Sequence, residues 1–259
     1  MSSATRIING ERLVVLGWGR AILMQLAHPL VAAGVATHST FRTSGLAPLW
    51  RLHATVRAMR EMSFGTPADA ARAAAAINRI HDRVHGHLEH DAGRYPRGTP
   101  YSAHDPALLA WVHLTLLESV PLAYDRCVSS LPPATRDAYC RESLAGAALL
   151  GLPASLVPTT YADVQAAVAA RVGDGTLVVT ATARTLAAEI LTPPLRRFAW
   201  PAARVHRLLT IGLLPPLLRA QYGFEWREAD DRALDRWTAR LRRFSRIAPA
   251  WIRRWPEAR

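Results

Sequence analysis

Alanine- and leucine-rich stretches, punctuated by glycine and proline, follow one another along all 259 residues of this chain. Alternation of apolar and polar residues, the mark of a half-buried strand, is almost absent. Such a pattern leaves helices joined by loops as the available architecture. Helices are predicted over roughly 11–36 (bent at Pro29), 48–63, 67–90, 105–130, 133–150, 160–171, 180–192, 201–221 and 228–246. Thr66-Pro67 with Asp69, and Asp105-Pro106, supply an N-terminal cap followed by a proline that needs no hydrogen-bond partner. Asp230 or Asp231 is a start for the last helix. Segment 92–104 reads as a polar loop, and Thr176–Thr182 as a short strand or a helix start. The expectation is an all-α fold in a single multi-helix domain, with residues 226–259 a basic helical extension packed on the body formed by 1–225.

The charge narrows the chemistry. All 32 Lys+Arg residues are arginine, so a Schiff-base lysine, a lysine general base and a Walker-type phosphate lysine are excluded. Alanine abundance with arginine in place of lysine also fits the coding bias of a GC-rich genome. The two cysteines, Cys127 and Cys140, are too few for a disulfide scaffold and read as buried thiols of an intracellular protein. Residues 196–259 hold 15 arginines against 6 acids, whereas residues 1–195 hold 17 against 14. The basic excess therefore belongs to the C-terminal quarter, which becomes a candidate peripheral membrane contact. No nucleic acid is expected as a partner, because zinc-finger spacing, an RNP-like motif and a compact basic recognition helix are all missing. The apolar runs 21–36 and 208–218 are short and interrupted, so neither is expected to span a bilayer, although the second could enter an interface. With a polar N-terminus and no secretory signal pattern, the expected location is cytoplasmic, with peripheral membrane association.

Histidine carries most of the remaining chemical signal. In the predicted helix 67–90, Ala73, Ala74, Ile77, Ile80, Val84 and Leu88 form an apolar stripe that contains His81, with His85 one turn on. An imidazole in an apolar stripe needs a partner: a backbone carbonyl, a metal or a haem iron. His81 and His85 at i, i+4 resemble half of a zinc site, but Asp82 stands where the HExxH pattern needs glutamate. His113 sits in the hydrophobic run 108–117 and His28 precedes Pro29 in the first core helix. Three histidines on separate buried helices point to one shared cavity. Apolar residues of 21–36 and 108–117 are expected to line it. Arg51 and Thr55, also at i, i+4, put a permanent cation and a hydroxyl on one helical face, where they can orient an anion or a developing oxyanion.

These residues also fall within a longer series. It begins Leu26-Ala27-His28-Pro29, Gly34-Val35-Ala36, His38-Ser39, Phe41, Arg51-Leu52 with Thr55, and Phe64-Gly65-Thr66-Pro67. It continues through Ile77-Asn78-Arg79-Ile80-His81 with Val84 and Gly86, Tyr101-Ser102-Ala103, Asp105-Pro106 and Trp111-Val112-His113. Gly151-Leu152-Pro153, Leu156-Val157-Pro158-Thr159-Thr160 and Leu209-Thr210 with Gly212-Leu213-Leu214-Pro215 complete it. The series resembles the MpaB/rubber-oxygenase catalytic-domain family over most of residues 12–225.

The resemblance implies a haem-dependent oxygenase with a globin-like haem-binding core, holding haem b and acting with O2 or peroxide on an apolar, unsaturated small molecule of isoprenoid or lipid type. Carried over by motif, His81 is the proximal iron ligand, with His85 the fallback if the register slips by a turn. Arg51 and Thr55 form the polar wall on the oxygen-binding side. His113 and His28 match recurrent positions that contact haem propionates or hold helices together. Rubber-cleaving relatives carry a lysine immediately before that threonine as a distal iron ligand. Ala54 stands there in this chain. The sixth iron position is then open, or filled by a neighbour such as His53 or His38. The competing readings are a non-catalytic haem or lipophilic-ligand carrier, a non-haem metal protein using His81, His85 and His113, and an arginine-rich binding module in 196–259.

Overall fold

The computed structural model describes residues 3–38, 47–192 and 196–259. Among them stand thirteen α-helices and a two-stranded antiparallel sheet. The helices are α1 (Ala4–Ile8), α2 (Leu16–Leu26), α3 (Pro29–His38), α4 (Ala47–Phe64), α5 (Pro67–His81), α6 (Pro106–Cys127) and α7 (Pro133–Leu149). They continue with α8 (Tyr161–Gly173), α9 (Ala181–Ile190), α10 (Arg196–Gly212), α11 (Pro216–Gln221), α12 (Glu228–Ile247) and α13 (Ala250–Arg253). The all-α expectation holds.

Helix α6 is the axis of the molecule. It packs against α2, α8 and α12 and touches α1 and α7, and 13 of its 22 residues are buried. By length and composition alone it could cross a membrane, but two thirds of its apolar window lies inside the fold, as in the central helix of a packed core. Trp111, 1% exposed, fills the junction with α2 and donates its indole N–H to the Met24 carbonyl at 3.2 Å. The leucine, alanine and tryptophan side chains expected to line an apolar cavity, among them Leu23, Leu26, Ala27, Trp111 and Leu114, instead pack against one another in the core.

The first predicted helix bends where proline placed the bend. A 3-10 turn over Arg12–Val15 leads into α2, and α3 leaves at 106° to the axis before it. Pro29 opens α3 without an N–H to satisfy, while the Leu30 N–H reaches back to His28 Nδ1 at 3.3 Å. The stretch 201–221 divides in two, since Pro215 and Pro216 end α10 and open α11. Of the two readings of 176–182, the helix start holds: residues 176–180 form no strand, and α9 begins at Ala181, capped by Thr180.

The largest departure concerns 67–90. A Thr66–Asp69 capping box starts α5 as expected, but the helix stops at His81. The chain then pairs strand β1 (His85–His87) with β2 (Pro100–Ser102), in register His85 with Ser102, Gly86 with Tyr101 and His87 with Pro100. Gly86 lies flat on the Tyr101 ring, where a Cβ would come within 2.7 Å of the phenol oxygen. That close approach rewards an extended glycine, which a helix interior would carry at a cost of about 1 kcal/mol.

The C-terminal segment is stitched onto the body. α12 packs on α6 and α10, and beyond it the chain returns to the N-terminus. There the Trp255 N–H donates to the Gly10 carbonyl at 3.0 Å, and the buried Glu11 carboxylate pairs with Arg253, with Arg254 close by.

Candidate functional site

His81 is the last residue of α5, its ring partly buried. Its Nδ1 is buried without a hydrogen-bond partner. Burial lowers its pKa, the neighbouring His104 lowers it further, and Asp82 pulls the other way. The ring is thus neutral at pH 7, the form that ligates a metal. His104 stands edge-on to it, with ring centroids 5.8 Å apart, and is itself held by Asp82 through a 2.8 Å contact at Nε2. One turn back on α5, Asn78 donates from Nδ2 to the Leu149 carbonyl at the end of α7, at 3.1 Å, while its Oδ1 is also buried and unpartnered. The same corner exposes Ile80 (54%) and Leu149 (39%). Two orphaned polar atoms beside uncovered apolar surface is an uncommon combination in a folded chain.

The other histidines sit elsewhere. His85 does not share a helical face with His81: it lies exposed on β1, and its backbone carbonyl accepts a hydrogen bond from His38 Nε2 at 3.1 Å. The shared helical face expected of His81 and His85 is therefore corrected, because α5 ends before residue 85.

His28 is 2% exposed and uses both ring nitrogens inside the protein. Nδ1 accepts from the Leu30 N–H, so in the neutral ring Nε2 carries the proton and faces the Tyr95 hydroxyl at 3.2 Å. His113 Nε2 lies 3.1 Å from Ser143 Oγ. That hydroxyl already donates to the Cys140 carbonyl at 2.7 Å, so it accepts from His113 and ties α6 to α7. The His113 ring thus joins two helices, while the His28 ring joins the start of α3 to the loop that carries Tyr95. Among the described residues, no three histidine, cysteine, aspartate or glutamate side chains group as a metal site.

Burial drives the pKa of His28 and of His113 down to about 4 from 6.5. Both stay neutral in the folded chain while the unfolded chain takes up protons below pH 6.5. Stability is therefore lost as the pH falls toward 4, by about 2 kcal/mol per histidine between pH 7.5 and 5. Urea-unfolding midpoints across that range should show the loss, and His113→Asn should remove its share of the slope.

Two residues, Gly65 and Thr66, connect α4 to α5, and the two helices pack together near that corner. Arg51 is 13 residues back from Phe64 along α4, and His81 is 14 residues on from Pro67 along α5. Each position is thus about 20 Å from the corner on its own helix. The Arg51 side chain lies outside the described residues. Thr55 is exposed on α4.

Along α4 from His53 to the corner, His53, Arg57, Arg60 and Phe64 line a cleft of about 450 Å3 with Asp69 and Arg72 of α5 and with Glu257. Its charged lining does not suit an apolar substrate. The His104–Asp82 pair and the uncovered Ile80 escaped the sequence reading, because both depend on where α5 stops.

A family model described as ER-bound oxygenase mpaB/B'/Rubber oxygenase, catalytic domain, matches residues 5–244. No curated protein and no solved structure matches the chain.

Proposed function

Because the chain belongs to the ER-bound oxygenase mpaB/B'/rubber oxygenase catalytic-domain family, we propose that it is a haem b-dependent oxygenase acting on an apolar, unsaturated small molecule of isoprenoid or lipid type. The observation that carries this reading is the His81 ring, partly buried, neutral at pH 7 and with an orphaned Nδ1, beside the uncovered Ile80 and Leu149. A ligand histidine needs an unprotonated nitrogen and a fixed ring, and a porphyrin needs apolar surface to cover. The neutral imidazole, with His104 edge-on beside it, and the uncovered Ile80 and Leu149 fit the group in these respects.

When bound, the haem would supply the activation of O2 or peroxide. The protein's part is to hold and orient. His81, anchored at the end of α5, would hold the iron. His104, fixed by Asp82, limits how the His81 ring can turn. Ile80 and Leu149 would cover the porphyrin edge and keep water from it. On α4, Arg51 keeps its charge at any working pH and would stabilise negative charge as it develops, with the Thr55 hydroxyl as a hydrogen-bond donor. Ala54 brings no ligand of its own to the opposite side.

Oxygen uptake by haem-loaded protein tests the activity on a panel of isoprenoids and unsaturated lipids. Uptake with at least one substrate is expected, and Arg51→Gln should lower it on the order of a hundredfold while haem content stays unchanged. Haem-loaded protein that consumes no O2 with any of them would instead be a carrier.

A further inference from the structure

Half of the large hydrophobic side chains that stand exposed among the described residues, four of eight, fall within nine consecutive positions. They are Phe244 (40% exposed), Ile247 (75%), Trp251 (63%) and Ile252 (36%). Chain geometry keeps them together, since the first two sit one turn apart on α12 and the others open the short helix that follows. The segment is not a loose tail. Ser245 Oγ donates to the Cys127 carbonyl at 3.4 Å on one side, and the Glu11 pairing and the Trp255–Gly10 hydrogen bond fasten the other. The apolar side chains are therefore presented on a fixed support.

The charge around them has one sign. Between Arg236 and Pro256 the chain carries seven arginines and no carboxylate, although the first half of α12 holds Glu228, Asp230, Asp231 and Asp235. Arg253 and Arg254 attend Glu11, and Arg242 reaches Ser130. Arg240, Arg243 and Arg246 are exposed and pair with no carboxylate among the described residues. Arg240 lies four residues before Phe244, and Arg243 four before Ile247, so cation and apolar group share a helical face.

We infer that this end of α12, with the turn after it, is a docking face for an anionic lipid bilayer. Tryptophan and aliphatic side chains enter the interface, and arginine stems lie along them while the guanidinium groups stay with the phosphates. A second copy docked on the same face by two-fold symmetry would set these arginines against themselves. Arg246, Ile247, Trp251 and Ile252 lie beyond residues 5–244, so the family match covers only the part of this face formed by Arg240, Arg243 and Phe244. The 208–218 run, by contrast, buries Leu209, Ile211, Leu214 and Leu218 in the core and leaves Leu217, 49% exposed, as its one exposed large apolar side chain.

Vesicle co-sedimentation of the full chain tests the face. The protein should bind phosphatidylcholine vesicles containing phosphatidylglycerol at low salt, and vesicles of phosphatidylcholine alone at least tenfold more weakly. The double variant Ile247→Ser/Trp251→Ser should weaken binding at least about tenfold. The triple variant Arg240→Gln/Arg243→Gln/Arg246→Gln should weaken it on the order of a hundredfold. All five side chains are exposed, so unchanged circular dichroism and melting are expected of both variants. Failure to bind anionic vesicles overturns the proposal, as does binding that the Ile247/Trp251 variant leaves intact. A dimer on gel filtration that the same variant dissolves also overturns it, in favour of a self-interface.

Discussion

Replacing His81 by alanine should leave the fold standing and weaken haemin binding by at least about a hundredfold, since loss of a ligand's supporting contact alone costs up to that much. The two halves of this expectation have separate causes. Structural histidines are fastened by the hydrogen bonds they make, and His81 Nδ1 makes none in its buried position. Removing the ring therefore breaks no bond there and takes an unsatisfied group out of the interior, so stability should change by no more than about 1 kcal/mol. His113→Ala is the contrast. It opens a gap between α6 and α7 and leaves Ser143 without its donor, so it should cost stability and leave haemin affinity alone. Haemin titration beside urea unfolding of both variants separates the roles. If His81→Ala unfolds the chain while its haemin affinity is unchanged, His81 is a packing residue.

Removal of the Glu118 carboxylate should be the most damaging change away from the site. Arg20 is 4% exposed, yet each of its guanidinium nitrogens is engaged. Nε donates to the Leu213 carbonyl at 2.6 Å, Nη1 to Ser119 Oγ at 2.7 Å and Nη2 to Glu118 at 2.7 Å. One side chain thus ties α2 to α6 and to the turn that follows α10. Glu118→Ala leaves a buried guanidinium without its counter-charge, a change that costs about 3–5 kcal/mol. In a chain of this size that lowers the melting temperature by roughly 10 °C. The double replacement Arg20→Met/Glu118→Leu should recover most of the loss, because it removes both buried charges together. Thermal unfolding of the single and double variants measures the coupling directly.

The sequence made the helical architecture legible because its signals are local. Thr66, Asp105 and the Pro215-Pro216 pair mark helix ends from within a few residues, and the structure uses each of them. The last helix starts two residues before Asp230, at Glu228, and Asp230 is its third residue, accepting the Arg227 N–H at 2.9 Å. Signals that depend on distant partners were not legible. The helical stripe through Val84 and Leu88 was genuine periodicity, but Tyr101 gives Gly86 a better use as a strand residue, and that contact spans 15 positions. The Arg20–Glu118 pair closes over 98 positions and left no mark in either neighbourhood. Of the proposed site, His81 was singled out from its apolar surroundings, whereas its orphaned nitrogen and the His104–Asp82 support required the end of α5 to be known. The role of Arg51 rests on family resemblance and helical spacing, since its side chain lies outside the described residues.

Absorbance of the purified chain tests the central claim most directly. Protein from a haem-replete culture should carry a Soret band and, by the pyridine haemochrome assay, about one haem b per chain, in line with the single ligand histidine assigned to it. Colourless protein that also fails to take up added haemin would contradict the account.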